Sequence, residues 1–537
     1  MNEGCYIQVI VPLRLEWIPW YRAPRPVAPG TRVSVVFAHR TYTGVVLNTG
    51  NKPELDSSKV MDIVRIHDEL APITMEELQF WQFLSDYYLC TLGEVYKAAY
   101  PAGKILSEQK AANILERLRQ RLAIREEALS KKHKDSVRER LEAERDSIAN
   151  QIEALTKVPS GQAGKARRSV SKPVLLTGGG RTEEYLRLCG ETLEQGLNAL
   201  VLTPEIAAGE QLTAIFEEAF PGRVHSVNSH ITEARRRRIA EDVRNFGAQI
   251  VIGARSSLFL PFSRLGLIIV DNEQDVFFKQ TDPAPRYNAR DAAVMLARIH
   301  GAKVVLGAPS PSLESYHNAL TGKYISKDTQ HPVPAMTVID VAAEKRKNGM
   351  VGPLSRKLLD AAAKSGGPVA LIRGWEKPDE LLETAGRALE GIETDILTVQ
   401  QARLSDLRRY KLIAVLQADA LFPADDFRAD ERAVQTLAML REQCVGSFVV
   451  QTAKPEHPVF SSFGSIYPQL LAERQEFGLP PFTRLIDTDF GGHKERLTLM
   501  PGKDLAQKKN ELRARAIAFE KKSGGRARVT IDVDPIV

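Results

Sequence analysis

Residues Ile250–Asp275 read IVIGARSSLFLPFSRLGLIIVDNEQD and contain two short apolar runs separated by a bend rich in Ser and Pro. Runs of this length are typical of strands buried on both faces of a parallel sheet. Similar runs lie outside this stretch, each about one helix from the next: PVLLTG from Pro173, NALVLTP from Asn198 and AKVVLGA from Ala302. The alternation predicts βαβ units in an α/β lobe.

The remaining sequence predicts further units around this lobe. A shorter α/β series runs from PVALIRG at Pro368 to SFVVQT at Thr452, and the N-terminal runs before Leu47 alternate as short strands do. We therefore predict a multidomain α/β protein. Its units are an N-terminal module and connector (1–104), a charged helical insert and linker (105–172), a first lobe (173–330), a shortened second lobe (331–462) and a C-terminal α+β domain (463–537).

Composition sets wide limits on function. The 537 residues include 73 Lys and Arg against 67 Asp and Glu, a net charge of +6 that permits nucleic-acid binding without requiring it. The four cysteines are far apart and form no C-x-x-C pair, so neither a disulfide framework nor a cysteine zinc site is expected. No run of about eighteen apolar residues occurs, and we expect a cytoplasmic protein without a membrane partner.

The turn after the first strand of the lobe is nearly a P-loop. Phosphate binding there needs glycines whose backbone N–H groups can cradle the phosphates, a lysine for the outer phosphates and a hydroxyl for Mg²⁺. The residues that we assign to this site are Gly178, Gly179, Gly180, Arg181 and Thr182. Arg181 departs from the pattern because a planar guanidinium does not replace a compact ammonium without rearrangement. The alternative is a purely structural glycine turn.

Two acidic residues after the fourth strand are the candidates for catalysis. Asp271 ends the run LGLIIVD, where a Walker B aspartate would hold Mg²⁺ through water. The next residue is Asn272, which cannot accept a proton, although Glu273 follows one position later. A strand-ending aspartate is also a common cap or turn residue.

Several stretches together resemble the PriA-type replication-restart DNA helicases. They include the opening stretch, PRYNARDAA from Pro285, VVLGAPSPSLES from Val304, the N-terminal VIVPLRLEWIPWYRAP from Val9 and LAERQEFGLPPFTRL from Leu471. The resemblance implies superfamily 2 helicase-like lobes and an N-terminal module that captures a free 3′ DNA end. It also implies ATP with Mg²⁺ as cofactor, and as partners forked or single-strand/duplex junction DNA and other primosome or replication-restart proteins.

The departures from that family concentrate in the ATP site. The P-loop lysine is Arg181, the DEEH box reads DNEQ from Asp271 and the GSATP box reads GAPSP from Gly307. Where the family has GRAGR, only Arg441 remains as a possible arginine finger, and the family's zinc-binding cysteines are missing. Losing such groups typically costs about a thousand-fold or more in rate. We therefore expect weak ATP binding, inefficient hydrolysis and no zinc.

The candidate DNA contacts fall in two regions. In the N-terminal module they are Trp20, Tyr21 and Arg40, with Trp17 as a further aromatic face; in the family's aromatic-rich loop they are Phe278, Lys279, Arg286, Tyr287 and Arg290, with Phe277 beside them. Aromatic faces can stack on bases, although the same rings could be ordinary core of a small β-barrel. The run Arg235–Arg238 on a predicted helix could bind phosphate or only solubilise the surface.

These observations favour a restart protein that binds forked or D-loop DNA and uses its helicase-derived lobes mainly as a scaffold. Two alternatives remain open. One is an active ATP-dependent 3′-to-5′ DNA helicase in which Arg181 and Glu273 substitute for the usual residues. The other is a protein-interaction scaffold in which the helical insert, from Ser107 to Leu155, binds a partner.

Overall fold

The computed structural model describes residues 5–50, 60–100, 111–131, parts of 137–152, 171–204, 206–228, 230–422, 426–524 and 527–536. In these ranges, no helix has the length and apolar character needed to cross a membrane. The predicted fold class is confirmed: two lobes with parallel sheets lie between an N-terminal β-rich module and a small C-terminal α+β unit.

The N-terminal module is a six-stranded sheet in the order β5-β2-β1-β4-β3-β6. Its strands are β1 (Cys5–Ile10), β2 (Trp20–Ala23), β3 (Arg32–Phe37), β4 (Arg40–Gly50), β5 (Met61–Asp62) and β6 (Arg65–Ile66). Alternate residues such as Val33 and Val35 are fully buried, as the period of two in the sequence predicts. Helices Met75–Tyr88 and Leu92–Ala99 follow, and each begins with a capping box.

The predicted insert is helical where the structure describes it. Helix Ala111–Leu129 is followed by helical residues between 137 and 152. An ion pair of 2.7 Å between Arg125 Nε and Glu144 Oε2 joins the two parts. Residues 105–110, 132–136 and 153–170 of the predicted insert and linker lie outside the described residues.

The first lobe is a seven-stranded parallel sheet in the order β13-β7-β12-β11-β8-β10-β9. The strands are β7 (Val174–Thr177), β8 (Asn198–Leu202), β9 (Val224–Val227), β10 (Ile250–Gly253), β11 (Leu265–Asp271), β12 (Lys303–Ala308) and β13 (Ile325–Asp328); the helices are Arg181–Glu194, Ile206–Ala219, Glu233–Asn245, Ala289–His300 and Leu313–Leu320. All six pairings are parallel, so every strand ends at one edge of the sheet. Ligands of open α/β sheets bind at that edge.

The second lobe is a five-stranded parallel sheet in the order β14-β20-β19-β17-β18. Its strands are β14 (Met336–Asp340), β17 (Val369–Arg373), β18 (Thr394–Thr398), β19 (Leu412–Val415) and β20 (Ser447–Thr452), with a short hairpin of β15 (Met350–Val351) and β16 (Leu354–Ser355); its helices are Val341–Lys347, Arg356–Ser365, Pro378–Ala388, Val399–Leu404, Ala429–Glu442, Pro458–Ser461 and Ile466–Glu476.

Helix Ile466–Glu476 follows the predicted end of the second lobe at residue 462 and packs on that lobe. Ile466 and Leu470 are buried in the same apolar cluster as Ile413 and Phe448 of the second-lobe sheet. The helix therefore packs with the second lobe. The sequence alone does not show which element its apolar residues contact.

The C-terminal unit begins at β21 (Arg484–Phe490), which pairs with β22 (His493–Leu499) and β23 (Val529–Val533), with helix Lys503–Lys522 beside the sheet. This unit contacts the N-terminal connector. Lys509 Nζ donates a hydrogen bond of 2.6 Å to the Tyr87 carbonyl oxygen, and Arg513 donates one of 2.9 Å to the Ser85 carbonyl oxygen. The two ends of the chain thus pack together.

Candidate functional site: the cleft between the lobes

The glycine-rich turn has the backbone of a strand-to-helix loop. Gly178 has φ of +89° and Gly180 has φ of +68°, a left-handed region that glycine adopts without a Cβ clash. Helix Arg181–Glu194 begins directly after Gly180, with its first N–H groups facing the turn. The loop is therefore placed as a phosphate-binding loop would be.

Arg181 folds back over this loop. Its side chain is 6% exposed, and Nη1 donates to the Gly178 carbonyl oxygen at 2.5 Å and to Glu442 Oε1 of the second lobe at 2.9 Å. Its Nη2 lies 3.6 Å from Asp271 Oδ1. Burial raises the pKa of Glu442, an effect that the Arg181 charge opposes. The residue at the lysine position is thus the centre of an ion pair between the lobes.

The segment that leaves β13 covers the other side of the glycines. Thr329 Oγ1 donates to the Gly179 carbonyl oxygen at 2.5 Å. A β-carbon on Gly180 would stand 3.0 Å from Nδ1 of His331. Protein atoms therefore lie on both sides of the loop.

Asp271 is held by neighbouring side chains. Its Oδ1 accepts a hydrogen bond of 2.9 Å from the buried Tyr185 hydroxyl, and Oδ2 accepts one of 3.2 Å from Asn272. The tyrosine reaches Asp271 across Gly307, where a β-carbon would stand 1.7 Å from its oxygen. Only glycine at 307 allows this contact.

Glu273 has a structural set of partners. Its side chain is fully buried and accepts hydrogen bonds from the Ser312 backbone N–H at 2.7 Å, the Ser312 hydroxyl at 3.0 Å and the Ser315 hydroxyl at 2.9 Å. Arg290 Nη1 lies 3.3 Å away. Burial raises the pKa of Glu273. The charge of Arg290 and the hydrogen bonds from Ser312 and Ser315 oppose this increase. The carboxylate ties the end of β11 to the start of helix Leu313–Leu320 and does not line the cleft.

A cleft of about 430 Å³ lies beside the glycine-rich turn and is lined by both lobes. Arg181, Thr182 and Asp271 line it from the first lobe, and Arg403 and Arg408 line it from the second. In the described residues, no group of three or more His, Cys, Asp or Glu side chains is placed to hold a metal ion.

The cleft contains cations that the sequence motifs did not indicate. Arg403 Nη2 lies 3.3 Å from Asp275 Oδ2. Arg441, the predicted finger, instead donates from Nε to the Pro334 carbonyl oxygen at 2.5 Å and lies over the Phe463 ring. The only sequence signal for Arg403 and Arg408 was the basic run RLSDLRR, which carries no recognisable motif.

The aromatic-rich loop is packed inward. Phe278 and Tyr287 are each 1% exposed, and the Tyr287 hydroxyl donates to the Arg255 carbonyl oxygen at 3.2 Å. Lys279 Nζ pairs with Asp532 at 2.6 Å and donates to the Val533 carbonyl oxygen at 2.7 Å.

Two other predicted DNA contacts of this loop are also engaged. Arg290 belongs to the Glu273 cluster, and Arg286 Nη2 lies 3.1 Å from Asp282 Oδ1. The neighbouring Phe277 is 46% exposed and is the aromatic side chain that this loop presents to solvent.

The N-terminal module keeps part of its predicted DNA surface open. Trp17 is 59% exposed, with its ring centroid 6.1 Å from that of Phe37. Phe37 pairs with the exposed Arg40 across the β3–β4 hairpin, so Trp17 and Arg40 lie at one end of the sheet. Trp20 is half-buried, whereas Tyr21 is buried and donates its hydroxyl proton to the Val36 carbonyl oxygen at 3.1 Å.

Comparison with protein families and curated proteins gives a consistent picture. Residues 8–101 match the family described as the PriA 3′ DNA-binding domain (3′BD). The chain is 32% identical to the replication restart protein PriA of Rickettsia prowazekii, over 62% of this chain and 47% of that protein. It is 28% identical to PriA of Haemophilus influenzae, over 57% of this chain and 56% of that protein. The chain thus spans about half the length of the curated relatives it matches.

Solved structures provide more distant matches. The structure of RecG bound to a three-way DNA junction is 12% identical, with a TM-score of 0.39, and the match covers 74% of this chain and 52% of RecG. The DUF1998 helicase MrfA bound to DNA is 11% identical, with a TM-score of 0.36, and the match covers 56% of this chain and 46% of MrfA.

Proposed function

The chain is related to the PriA-type replication restart proteins, and on this basis we propose that it binds branched DNA carrying a free 3′ end without efficient ATP hydrolysis. In this role the two lobes act as a scaffold. Other replication-restart proteins assemble on the bound DNA in the bacterial cytoplasm. The observation that carries the proposal is the ion pair of Arg181 with Glu442 in the place where a P-loop lysine would meet phosphates.

The loss of hydrolysis follows from the partners of the candidate catalytic groups. Glu273 is buried among Ser312, Ser315 and Arg290, so it cannot reach a water in the cleft without breaking that cluster. Asp271 is held by Tyr185 near a competing cation. Nucleotide binding then requires Arg181 to leave Glu442, which makes binding weak. The free energy needed to break this ion pair is spent on binding, before any chemical step.

DNA binding is supported by the matched N-terminal domain. Trp17 and Arg40 place an aromatic face and a cation at one end of its sheet, which suits a terminal base and its phosphate. Stacking on an exposed ring contributes about 1–3 kcal/mol per base. Phe277 on the first lobe offers a second exposed ring.

The test measures DNA binding and ATP turnover on the same protein. Binding to a fork with a free 3′ leading-strand end is compared with binding to blunt duplex of equal charge, and ATP hydrolysis is measured with and without the fork. We expect preferential fork binding and no turnover above background. Equal affinity for the two DNAs would refute the DNA proposal, and fork-stimulated turnover abolished by Arg181→Ala would refute the loss of hydrolysis.

The active-helicase alternative is favoured by one feature, the cleft lined by Arg403 and Arg408. An arginine that reaches the transferred phosphoryl group stabilises transition-state charge in NTP hydrolysis. Under this alternative, Arg403→Gln and Arg408→Gln lower turnover at least ten-fold, whereas Arg441→Gln leaves it unchanged. Under our proposal, wild-type turnover is already at background.

A further inference from the structure

Helix Glu233–Asn245 carries four consecutive arginines in its first turns. It begins at the N-cap Thr232, whose hydroxyl accepts a hydrogen bond from the Arg235 N–H at 3.3 Å. The buried face of the helix is formed by Ile239, Ala240 and Val243. Of the basic run Arg235–Arg238, the first and last residues are exposed and the middle two are half-buried. Arg235 and Arg238, three positions apart, therefore share an exposed face of the helix.

This basic run differs from other surface arginines in its pairing. Arg187 lies 2.8 Å from Glu184, and Arg496 lies 2.7 Å from Asp487. No salt bridge to a described carboxylate involves the run, although Asp242 follows Arg238 by one turn and the Arg238 charge opposes the burial that raises the pKa of Asp242. Like charges three or four positions apart destabilise a helix by about 0.2–0.5 kcal/mol per pair. The run contains one such pair, Arg235 with Arg238, and both members are exposed and can meet an anion from outside.

The fold places the run beside the aromatic-rich loop. The helix follows β9, and the Val227 carbonyl oxygen at the end of that strand accepts a hydrogen bond of 3.4 Å from the Ala254 N–H. The next residue, Arg255, donates to the Phe277 carbonyl oxygen at 2.8 Å. The charge of Arg236 is also close enough to lower the pKa of Tyr287, against the larger opposing effect of burial. The run and Phe277 thus lie near one edge of the first lobe.

We propose that Arg235 and Arg238 bind backbone phosphates of a duplex DNA arm, independently of base sequence. The arginine fork matches phosphate oxygens in geometry and charge, and residues three positions apart on a helix lie on the same face. This inference deepens the proposed function by assigning the duplex arm to the first lobe, while the N-terminal module takes the free 3′ end.

The test uses the full chain with Arg235→Gln and Arg238→Gln combined, the two exposed members of the run. Binding to fork and to blunt duplex is measured by fluorescence anisotropy over a series of KCl concentrations. Each lost phosphate contact lowers the slope of log affinity against log salt by about 0.9, so we expect a decrease of about two. Affinity should fall by a similar factor for both DNAs, since phosphate contacts do not distinguish them.

The matched control combines Arg187→Gln with Arg496→Gln, which removes the same charge from paired surface positions. If the salt slope of the Arg235/Arg238 variant equals that of the control, the inference is wrong, and an acidic protein becomes the better partner for the run. The proposed function is refuted by a different result, namely that the wild-type chain binds fork and duplex equally well. The slope comparison on blunt duplex still decides the role of the arginines in that case.

Discussion

In the N-terminal module, the exposed Trp17 and Arg40 face solvent and have surface left for a ligand. At the cleft between the lobes, Arg181 satisfies its charge with another protein group, and so does the buried Glu273 behind it. Both regions contain residue types suited to nucleic acid or nucleotide chemistry. The difference lies in their partners: a polar group that already has buried partners stabilises the fold, and one without them remains available for binding.

The largest expected effect is that of Glu273→Ala on stability. The change leaves three buried donors, the Ser312 N–H and the hydroxyls of Ser312 and Ser315, without their acceptor, while Arg290 keeps its pair with Asp291. At about 1–3 kcal/mol for each unsatisfied donor, we expect a loss of about 3 kcal/mol or more in the free energy of unfolding of the first lobe. Urea denaturation followed by circular dichroism measures this, with Glu183→Ala, an exposed change in the same lobe, as control. Unchanged stability together with a loss of ATP turnover would identify Glu273 as a catalytic base instead.

The second effect concerns the N-terminal module. Trp17→Ala removes the exposed ring, and we expect a loss of about 1–3 kcal/mol, or roughly 5- to 150-fold, in affinity for a fork with a free 3′ end. Affinity for a fork whose 3′ end is blocked should not change. The control is Trp375→Ala, because this tryptophan is 68% exposed on the second lobe. Equal losses for both variants would place the DNA end elsewhere.

The sequence predicted the architecture better than the roles of its polar residues. The apolar runs around Ile250–Asp275 identified the first-lobe strands because a buried parallel strand needs a continuous apolar segment. The role of Glu273 was not predictable, because its partners Ser312 and Arg290 come from distant segments that only the fold brings together. The Arg181–Glu442 pair was hidden for the same reason, since 261 positions separate the two residues.

The third effect tests whether the cleft can be reopened. Arg181→Lys combined with Glu442→Gln restores a compact ammonium and removes its competing carboxylate. We expect about ten-fold tighter MgATP binding than in the wild type, which is about 1.4 kcal/mol, measured by titration with a fluorescent nucleotide. Arg187→Lys serves as the control. If affinity does not rise, the cover formed by Thr329 and His331 is the stronger barrier.

The smallest effect is a difference in how stability depends on pH. It distinguishes the paired carboxylate of Glu184 from the buried carboxylate of Glu273. Hydrogen bonds from Arg187, and then from Lys327, lower the pKa of Glu184 to about 2. A lowered folded-state pKa gives stability that is present above the usual value of 4.5 and is lost as the pH falls towards 2. Glu273, whose pKa is raised by burial, has the opposite sign: its ionisation costs folding energy, and that cost disappears as the pH falls.

Glu184→Gln should therefore lower the thermal unfolding midpoint at pH 7, by an amount that corresponds to about 0.5–1 kcal/mol in the free energy of unfolding. The gap in midpoint between the variant and the wild type should narrow by pH 3. Glu183→Gln, its exposed neighbour on the same helix, controls for the loss of one charge. A gap that stays constant between pH 7 and pH 3 would mean that the contacts of Glu184 with Arg187 and Lys327 contribute nothing through its charge. The carboxylate would then differ from Glu273 only in its exposure.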